Sequence, residues 1–301
     1  MAANYSIIIP HKDIPDLLQR CLDSIPVRDD VQVIVVDDNS DPSKVDFDHF
    51  PKWGGKQYEY YLTKLGKGAG YARNVGLEHA QGRWIVFADA DDFFTAEFNA
   101  LLDEVADAEE DMVYFDYVNV MSDDITRRVE ERTWYSRSMA SFRNGKISEA
   151  SLKTSNPVAW CRIIKRELIE RHHVRFSETR WSNDVFFAAQ VSCLASAISV
   201  NAAKAYMLTQ RQGSLTDNVC GTKRELSVRL EQGLKSEKMY ESHGIRAKGT
   251  LTSPHLRLVF KNNGLWWCLS FCLANALTHP PIAKLMLAFL AKRVKRSERP
   301  R

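Results

Sequence analysis

Apolar residues in the first half of the chain follow two alternating patterns. Short apolar runs that end abruptly, such as YSIIIP at 5–10 and VQVIVV at 31–36, are typical of strands buried in a parallel sheet. The predicted strands lie at 5–10, 31–36, 58–62, 84–88 and 112–118. Between them, apolar residues recur at helical spacing, first from Ile14 to Ile25 and again after Thr95, which we expect to cap its helix. Strands that alternate with helices predict an α/β fold with a mixed, mostly parallel sheet flanked by helices.

The second half of the chain is less regular. Residues 121–155 are polar and lack a clear period, which predicts an irregular excursion. We expect order to return with a strand followed by a helix from Arg166, a helix from Asn183 and a strand at 203–209. From Lys223 onward the pattern predicts an all-helical C-terminal extension. The chain is therefore expected to contain three segments, at 1–120, 121–218 and 219–301.

The composition is that of a folded protein, with 45% hydrophobic and 26% charged residues. The N-terminus lacks a basic stretch followed by a long apolar stretch, so no secretory signal is predicted and a cytoplasmic location is expected. The six cysteines are scattered without a C-x-x-C pair. This favours small buried side chains in a reducing compartment over disulfides or a structural metal site.

Positive charge is concentrated at the C-terminus. The formal net charge is +3, yet the last ten residues carry six lysines and arginines against one glutamate, a net charge of +5. The rest of the chain is therefore slightly acidic. A nucleic-acid-binding domain carries its positive charge on a folded face, so this distribution argues against nucleic acid as a partner.

Two acidic clusters follow predicted strands. Asp37 and Asp38 directly follow the second strand, and Asp89, Asp91 and Asp92 follow the fourth. Ligands in open α/β sheets bind outside the carboxyl ends of the strands, so both clusters are expected to line one crevice. Three carboxylates in four residues repel one another, and a divalent cation that also binds nucleotide phosphates would offset this. The alternative is ordinary turn chemistry, a solvated acidic turn at one site and an Asx-type turn at the other.

A glycine-rich, cationic segment, GKGAGYARN at 66–74, begins the helix predicted at 70–80. Backbone N–H groups and positive charge at such a helix start suit a diphosphate. The segment is not a dinucleotide fingerprint, because Arg73 stands at the third glycine position, and it is not a P-loop, because no G-K-[ST] follows.

Taken together, these segments resemble the family 2 glycosyltransferases of the GT-A fold. The resemblance rests on SIIIPHKD, VVDDNSD and GYARNVGLEHAQGRWIVFADADD, which occur in the family's order, and it covers roughly 5–118 and 157–218. It implies that Asp38 meets the nucleobase, Arg73 faces the donor and Asp89 contacts the ribose. It also implies that Asp91, in the D-x-D pattern, binds Mn²⁺ or Mg²⁺. The opening donor loop would be Pro10, Lys12 and Asp13, where Lys12 replaces an aromatic residue common in the family.

The acceptor half carries the expected catalytic group. Asn183-Asp184-Val185-Phe186-Phe187 resembles the family's E-D-x-x-F motif, with Asn183 in place of glutamate. The resemblance implies that Asp184 is the general base of an inverting displacement. The alternative role for Asp184 is a helix N-terminal charge that favours the macrodipole. Further on, YMLTQRQGSLTDN resembles a donor-side segment, so that Arg211 and Ser214 could reach the diphosphate.

The resemblance thus implies a metal-dependent inverting glycosyltransferase of the bacterial surface-polysaccharide or lipopolysaccharide type. Segment 1–120 would bind a nucleotide-diphosphate sugar, with UDP as the family-weighted choice. Segment 121–218 would bind a glycan or lipid-linked acceptor. Two alternatives remain open at the level of sequence: a nucleotide-sugar-binding protein without turnover, and a related nucleotidyltransferase.

The C-terminal segment contains apolar stretches at 256–260, 264–277 and 282–294. None reaches the roughly 20 residues that a membrane-spanning helix needs. A helical cap on the catalytic domain is one interpretation. Trp266 and Trp267, followed by the basic tail, favour instead an interfacial contact with an anionic membrane, which would place the protein on the inner face of the cytoplasmic membrane.

Overall fold

The structure, a computed structural model, describes residues 3–129, 134–211 and 222–246, together with residues 266, 267, 270 and 273. The strands are β1 (Tyr5–His11), β2 (Val31–Asp38), β3 (Glu59–Thr63), β4 (Trp84–Phe87), β5 (Phe93–Phe94), β6 (Met112–Met121), β7 (Arg162–Lys165) and β8 (Ile198–Gln210). The helices are α1 (Pro15–Ser24), α2 (Ala69–His79), α3 (Glu97–Val105), α4 (Trp134–Arg143), α5 (Glu149–Ser155), α6 (Arg166–Arg171), α7 (Asn183–Leu194) and α8 (Lys223–Ser242). The chain divides into two compact units, Met1–Asn218 and Val219–Arg301.

The described strands form one sheet in the spatial order β3-β2-β1-β4-β7-β6-β8-β5. Strands β3, β2, β1 and β4 run parallel, β7 is antiparallel to both of its neighbours, and β8 runs parallel to β6. Every residue of β1 is buried, as expected for a central strand covered on both faces. The predicted α/β class with a mixed, mostly parallel sheet is confirmed.

The carboxyl ends of β1, β2 and β4 lie at one edge of the sheet because the three strands are parallel. Strand β2 includes Asp37 and Asp38 rather than ending before them, and Asp37 is paired with His11 at the end of β1. Three loops therefore leave the sheet side by side at this edge.

Helix α2 packs closely on the sheet through a glycine. A Cβ added at Gly76 would lie well inside van der Waals contact with the side chain of Ile8 on β1. The small residue allows the helix to approach the strand, and so holds the start of α2 near the carboxyl ends of β1 and β2.

The expectation of an irregular excursion at 121–155 is wrong in part, because α4 and α5 lie within it. Few of their side chains are buried, chiefly Met139 of α4 and Leu152 of α5, which is too few to produce a visible period. Helix α5 also has a local start signal, since the hydroxyl of its N-cap residue Ser148 accepts the N–H of Ser151 at 3.2 Å.

The start of α3 also differs from the prediction. The N-cap residue is Ala96, which has no side-chain capping bond, and the helix begins at Glu97. Thr95 instead joins the helix to β8: its hydroxyl accepts the N–H of Glu97 at 3.2 Å and donates to the carbonyl of Lys204 at 2.8 Å. The tertiary contact with β8 fixes Thr95 one residue before the capping position.

In the second unit, α8 begins at the N-cap residue Thr222, whose hydroxyl accepts the N–H of Glu225 at 3.2 Å. Within the predicted apolar stretch 264–277, the described residues 266, 267, 270 and 273 are helical. The stretches at 256–260 and 282–294 and the basic tail lie outside the described residues. Across the part of the chain that is described, no helix has both the length and the apolar character needed to span a membrane. The functional division of the first unit at residue 120 stays a prediction.

Candidate active site

The acidic segment that follows β4 is held against β8 by hydrogen bonds. Both carboxylate oxygens of Asp92 accept bonds from β8, one from the N–H of Thr209 at 2.7 Å and one from the hydroxyl of Tyr206 at 2.9 Å. The same hydroxyl accepts the N–H of Asp89 at 2.9 Å. Tyr206 is fully buried and Asp92 almost so. Strand β8 therefore fixes the backbone of the segment as well as its last carboxylate.

Asp89, Asp91 and Asp92 each offer a carboxylate oxygen, and these atoms lie within 4.8 Å of one another. Burial raises the pKa of Asp92, and the charges of Asp91 and Asp89 raise it further. Burial also raises the pKa of Asp91, where Asp89 adds to the effect and the Arg211 guanidinium opposes it. The Nε atom of Arg211 lies 3.1 Å from a carboxylate oxygen of Asp91.

The donor set fits a hard divalent cation, which prefers carboxylate oxygens and would relieve this repulsion. Asp92 uses both oxygens toward β8, whereas the side chains of Asp89 and Asp91 are 32% and 26% exposed. The carboxylates of Asp89 and Asp91 are thus the accessible ones of the three, whereas that of Asp92 is bound to β8.

Arg73 connects the acidic segment to the start of α7. Its guanidinium forms an ion pair with the carboxylate of Asp89 and donates to Oδ1 of Asn183 at 2.8 Å. The side chain is only 8% exposed, and it lies over the ring of Phe176 with 5.3 Å from Cζ to the ring centroid. One buried cation thereby holds together residues more than 90 positions apart in the sequence.

Asp184 directly follows Asn183 in the first turn of α7 and is half-buried. Burial raises the pKa of Asp184, the Arg73 guanidinium lowers it, and the charge of Asp89 raises it again. The carboxyl group therefore lies in the electrostatic field of the same arginine that pairs with Asp89.

Asp38 forms a second, separate corner of the crevice. One carboxylate oxygen accepts the N–H of Gly68 at 2.8 Å, and Gly68 adopts a φ of 96° that favours glycine. The other oxygen, Oδ1, is buried, and no described residue donates a hydrogen bond to it. Burial raises the pKa of Asp38, while the Gly68 N–H and the charge of Lys12 oppose this. A buried carboxylate oxygen without a donor is costly, which makes it a candidate ligand-binding atom.

Asp37 has a different role from its neighbour. It is 1% exposed and accepts hydrogen bonds from His11 Nδ1 at 2.8 Å and from the N–H and hydroxyl of Ser40 at 2.8 and 2.5 Å. Burial acts to raise its pKa, yet the bonds from His11 and Ser40 outweigh this and hold the pKa below its usual range. The turn interpretation therefore applies to Asp37, while Asp38 keeps an atom free for a ligand.

The loop before α7 packs against the glycine-rich segment. A Cβ at Gly70 would overlap the backbone carbonyl oxygen of Ser177, and Lys67 Nζ lies 3.4 Å from a carboxylate oxygen of Glu178. The loop ends at Ser182, which is in the left-handed region with a φ of 51°. The position of Asp184 thus depends on the start of α2 as well as on Arg73.

The structure brings together most of the residues singled out in the sequence. Contacts link Lys12 to Asp38, Arg73 to Asp89, and Arg211 to Asp91. The remaining predicted residues lie in the opening loop or nearby: Pro10 is buried in β1, and Asp13 accepts the N–H of Asp41 at 2.7 Å. Ser214 lies outside the described residues.

Three residues that organise the site are not singled out by the sequence pattern: Tyr206, Thr209 and His11. Tyr206 and Thr209 fall in a predicted strand, where a buried tyrosine and a threonine are ordinary strand residues. His11 could have been singled out as a polar residue that ends an apolar strand beside the acidic turn, but no spacing rule connects it to Asp37.

Comparison with known proteins places this architecture in a family. The sequence model described as Glycosyl transferase family 2 matches residues 6–172, just over half of the chain. The chain belongs to this family. Among relatives, the putative glycosyltransferase EpsH of Bacillus subtilis is 24% identical over 207 residues, which cover 64% of this chain and 57% of EpsH. The chain therefore spans little more than half the length of that relative.

Solved structures share the fold of this family 2 chain. TarS 1–349 of S. aureus in complex with UDP-GlcNAc has a TM-score of 0.61 at 17% identity, over 86% of this chain and 73% of that chain. The mannosyltransferase PcManGT from Pyrobaculum calidifontis, in complex with GDP-Man and Mn²⁺, has a TM-score of 0.51 at 16% identity, over 99% and 88% of the two chains. At these identities the likeness concerns the fold alone, and the expected GT-A architecture is confirmed.

Proposed function

We propose that the chain transfers a sugar from a nucleotide-diphosphate sugar to a hydroxyl group of a glycan or lipid-linked acceptor, with inversion at the anomeric carbon. The observation that carries this proposal is the position of Arg73, which pairs with Asp89 and also donates to Asn183, next to Asp184. It supports a single crevice in which donor-side carboxylates face an acceptor-side carboxylate. Membership of glycosyl transferase family 2 supports the same reaction class.

On the donor side, Asp38 is proposed to bind the nucleobase. Its buried Oδ1 lacks a donor among the described residues, and a ring N–H, such as N3–H of uracil, would supply one. The start of α2, with its backbone N–H groups, is proposed to face the diphosphate, and Arg211, which pairs with Asp91, is proposed to contribute positive charge. The UDP-GlcNAc complex of TarS supports UDP as the first nucleotide to test.

Asp91 is proposed to hold Mn²⁺ or Mg²⁺, as the resemblance implies. Asp89, which the resemblance assigns to the ribose, is proposed as a second ligand of the ion because its exposed carboxylate lies within 4.8 Å of that of Asp91. A divalent cation in this position supplies charge neutralisation for the departing nucleoside diphosphate. The chain's own contribution is to keep both carboxylates in place, Asp89 through Arg73 and through its N–H to Tyr206, and Asp91 through Arg211.

Asp184 is proposed to be the general base. As the acceptor oxygen forms its bond to the anomeric carbon, Asp184 takes the hydroxyl proton, and the bond from that carbon to the diphosphate oxygen breaks. Burial raises the pKa of Asp184, which makes the carboxylate a stronger base, while Arg73 favours the ionised form that accepts the proton.

The base assignment is tested with Asp184→Asn and with the exposed Asp124→Asn as the matched control. We expect Asp184→Asn to bind UDP as the wild type does in calorimetry and to release UDP from the UDP-sugar at least about 100-fold more slowly. Asp124→Asn should behave as the wild type in both measurements. Undiminished release by Asp184→Asn would contradict its assignment as the base.

The protein is further proposed to contact an anionic membrane from the cytoplasmic side. Trp266 and Leu273 are 83% and 65% exposed on a helical stretch, and the last ten residues carry a net charge of +5. Apolar side chains and basic charge act together in such binding.

The full chain should float with phosphatidylglycerol vesicles at low salt and less with phosphatidylcholine vesicles. Leu273→Ser should weaken flotation, Leu62→Ser should not, and failure to float with either vesicle would contradict the proposal.

A further inference from the structure

Lys12 occupies a distinctive position beside the proposed nucleobase corner. It follows β1, and its side chain is 48% exposed next to the buried carboxylate of Asp38. Its ammonium group donates to the backbone carbonyls of Asp38 at 2.7 Å and Asn39 at 3.2 Å. These two bonds fix the ammonium group above the end of β2.

The ammonium group retains donor capacity. A lysine has three N–H donors, and two of them are used by the carbonyls. Its distance to the nearer carboxylate oxygen of Asp38, 4.0 Å, is too long for a hydrogen bond. Within the described residues, no other acceptor for the third N–H is found. A tethered donor with half of its side chain open to solvent can therefore meet a ligand.

Lys12 and Asp38 place a donor and an acceptor in the same corner of the site, since Nζ lies 4.0 Å from Oδ2 of the carboxylate whose other oxygen is the acceptor. The acceptor is Oδ1 of Asp38, which is buried and receives no hydrogen bond from a described residue. The complementary ligand edge is a ring N–H adjacent to a carbonyl oxygen. Uracil, thymine and guanine have such an edge. Cytosine and adenine have the reverse arrangement, an unprotonated ring nitrogen next to an amino group.

We propose that Lys12 is a specificity-determining residue that donates to the base carbonyl while Asp38 accepts the adjacent ring N–H, so that the pair selects imide or lactam bases over cytosine and adenine. This inference rests on the proposed function, in which the crevice binds a nucleotide sugar. Cytosine in this corner would place a lone pair against the carboxylate and an amino group against the ammonium. Unpaired buried polar groups of this kind give strong discrimination between bases.

The test is calorimetric binding of UDP, GDP, CDP and uridine to the full chain, in the presence of Mn²⁺. Lys12→Met removes the donor and keeps the apolar stem, and Lys12→Arg keeps a donor. Lys56→Met is the matched control, because Lys56 pairs with Asp29 at 2.6 Å near the opposite end of β2. Thermal unfolding of each variant checks that the fold is intact.

We expect the wild type to bind UDP or GDP at least about tenfold more tightly than CDP, and the UDP and GDP arms to show which base is preferred. Lys12→Met should reduce the preference over CDP about tenfold, and it should weaken uridine binding as well. Lys12→Arg should keep most of the preference, and Lys56→Met all of it.

Two results would overturn the inference. Equal weakening of UDP and CDP by Lys12→Met, with uridine unaffected, would assign Lys12 to the phosphates. Equal affinity of the wild type for UDP, GDP and CDP would show that Lys12 and Asp38 do not discriminate between nucleobases. Absence of binding to any nucleotide would instead contradict the proposed function itself, so the two failures are distinguishable.

Discussion

Tyr206→Phe removes one hydroxyl group that supports the whole acidic segment. That hydroxyl accepts the N–H of Asp89 and donates to Asp92, and the tyrosine is fully buried between the segment and the core. The aromatic ring remains and keeps its packing against the ring of Trp160. The two rings are nearly parallel, with 5.9 Å between their centroids. The substitution therefore changes two hydrogen bonds and little else.

The cost follows from these two bonds. A part-buried N–H left without an acceptor costs about 1–3 kcal/mol, and loss of a donor to a carboxylate costs about as much. Because the pKa of Asp92 is already raised, protonation relieves some of the second cost. We expect a decrease in the free energy of unfolding of about 2–4 kcal/mol, or roughly 5–15 °C in Tm for a unit of this size.

The matched control is Tyr114→Phe. The Tyr114 hydroxyl is also buried, but it contacts only the neutral hydroxyl of Ser192 at 3.2 Å among the bonds described. Its loss should cost about 0.5–1.5 kcal/mol.

Thermal unfolding measures the loss of stability, and a titration of activity with Mn²⁺ measures any change in metal dependence. Residues that orient metal ligands typically change metal affinity by about 10–100-fold, so Tyr206→Phe should raise the half-saturating Mn²⁺ concentration about tenfold and Tyr114→Phe should not. Equal destabilisation by the two variants with no change in metal dependence would refute the role given to Tyr206.

Three further predictions concern the same crevice. Burial raises the pKa of Asp184, so kcat/KM should fall as the pH drops through a value above the pKa of an ordinary aspartate. Arg73→Met should move this acid limb of the pH profile to still higher pH, because Arg73 lowers the pKa of Asp184. An unshifted limb in a folded Arg73→Met protein would argue against Asp184 as the base. Asp91→Asn should weaken the response of activity to Mn²⁺, and an unchanged Mn²⁺ titration would remove Asp91 from the metal site. Gly70→Ala should cost about 1–3 kcal/mol in thermal unfolding, because its Cβ would overlap the carbonyl oxygen of Ser177; unchanged stability would contradict that close packing.

The sequence predicts a strand or helix well where its hydrophobic pattern is typical of that type of element alone. The run at 31–36 has the unbroken apolar character of a central parallel strand, and β2 is found there, two residues longer. Helices α4 and α5 could not be predicted from periodicity, because each buries so few side chains that no repeat is visible.

In the candidate site, too, some features are predictable from the sequence and others are not. Local motifs identify residues such as Asp38 and Asp91, since the residue types and their place after a strand carry the information. The contacts that organise the site are long-range: Arg73 reaches Asn183 across 110 residues, and Tyr206 reaches Asp92 across 114. Nothing in the spacing of either pair predicts these contacts, since they arise only when the strands and helices pack together in the fold.

Metal-dependent sugar transfer is measured as the release of nucleoside diphosphate from a panel of UDP- and GDP-sugars by the full chain with Mn²⁺, with Mg²⁺ and with EDTA. We expect release from at least one donor in the presence of a divalent cation, and loss of that release with EDTA. Binding of a nucleotide sugar without release under any condition would indicate a binding protein without turnover. Release of the same extent in EDTA would contradict a metal-dependent transferase built on Asp89 and Asp91.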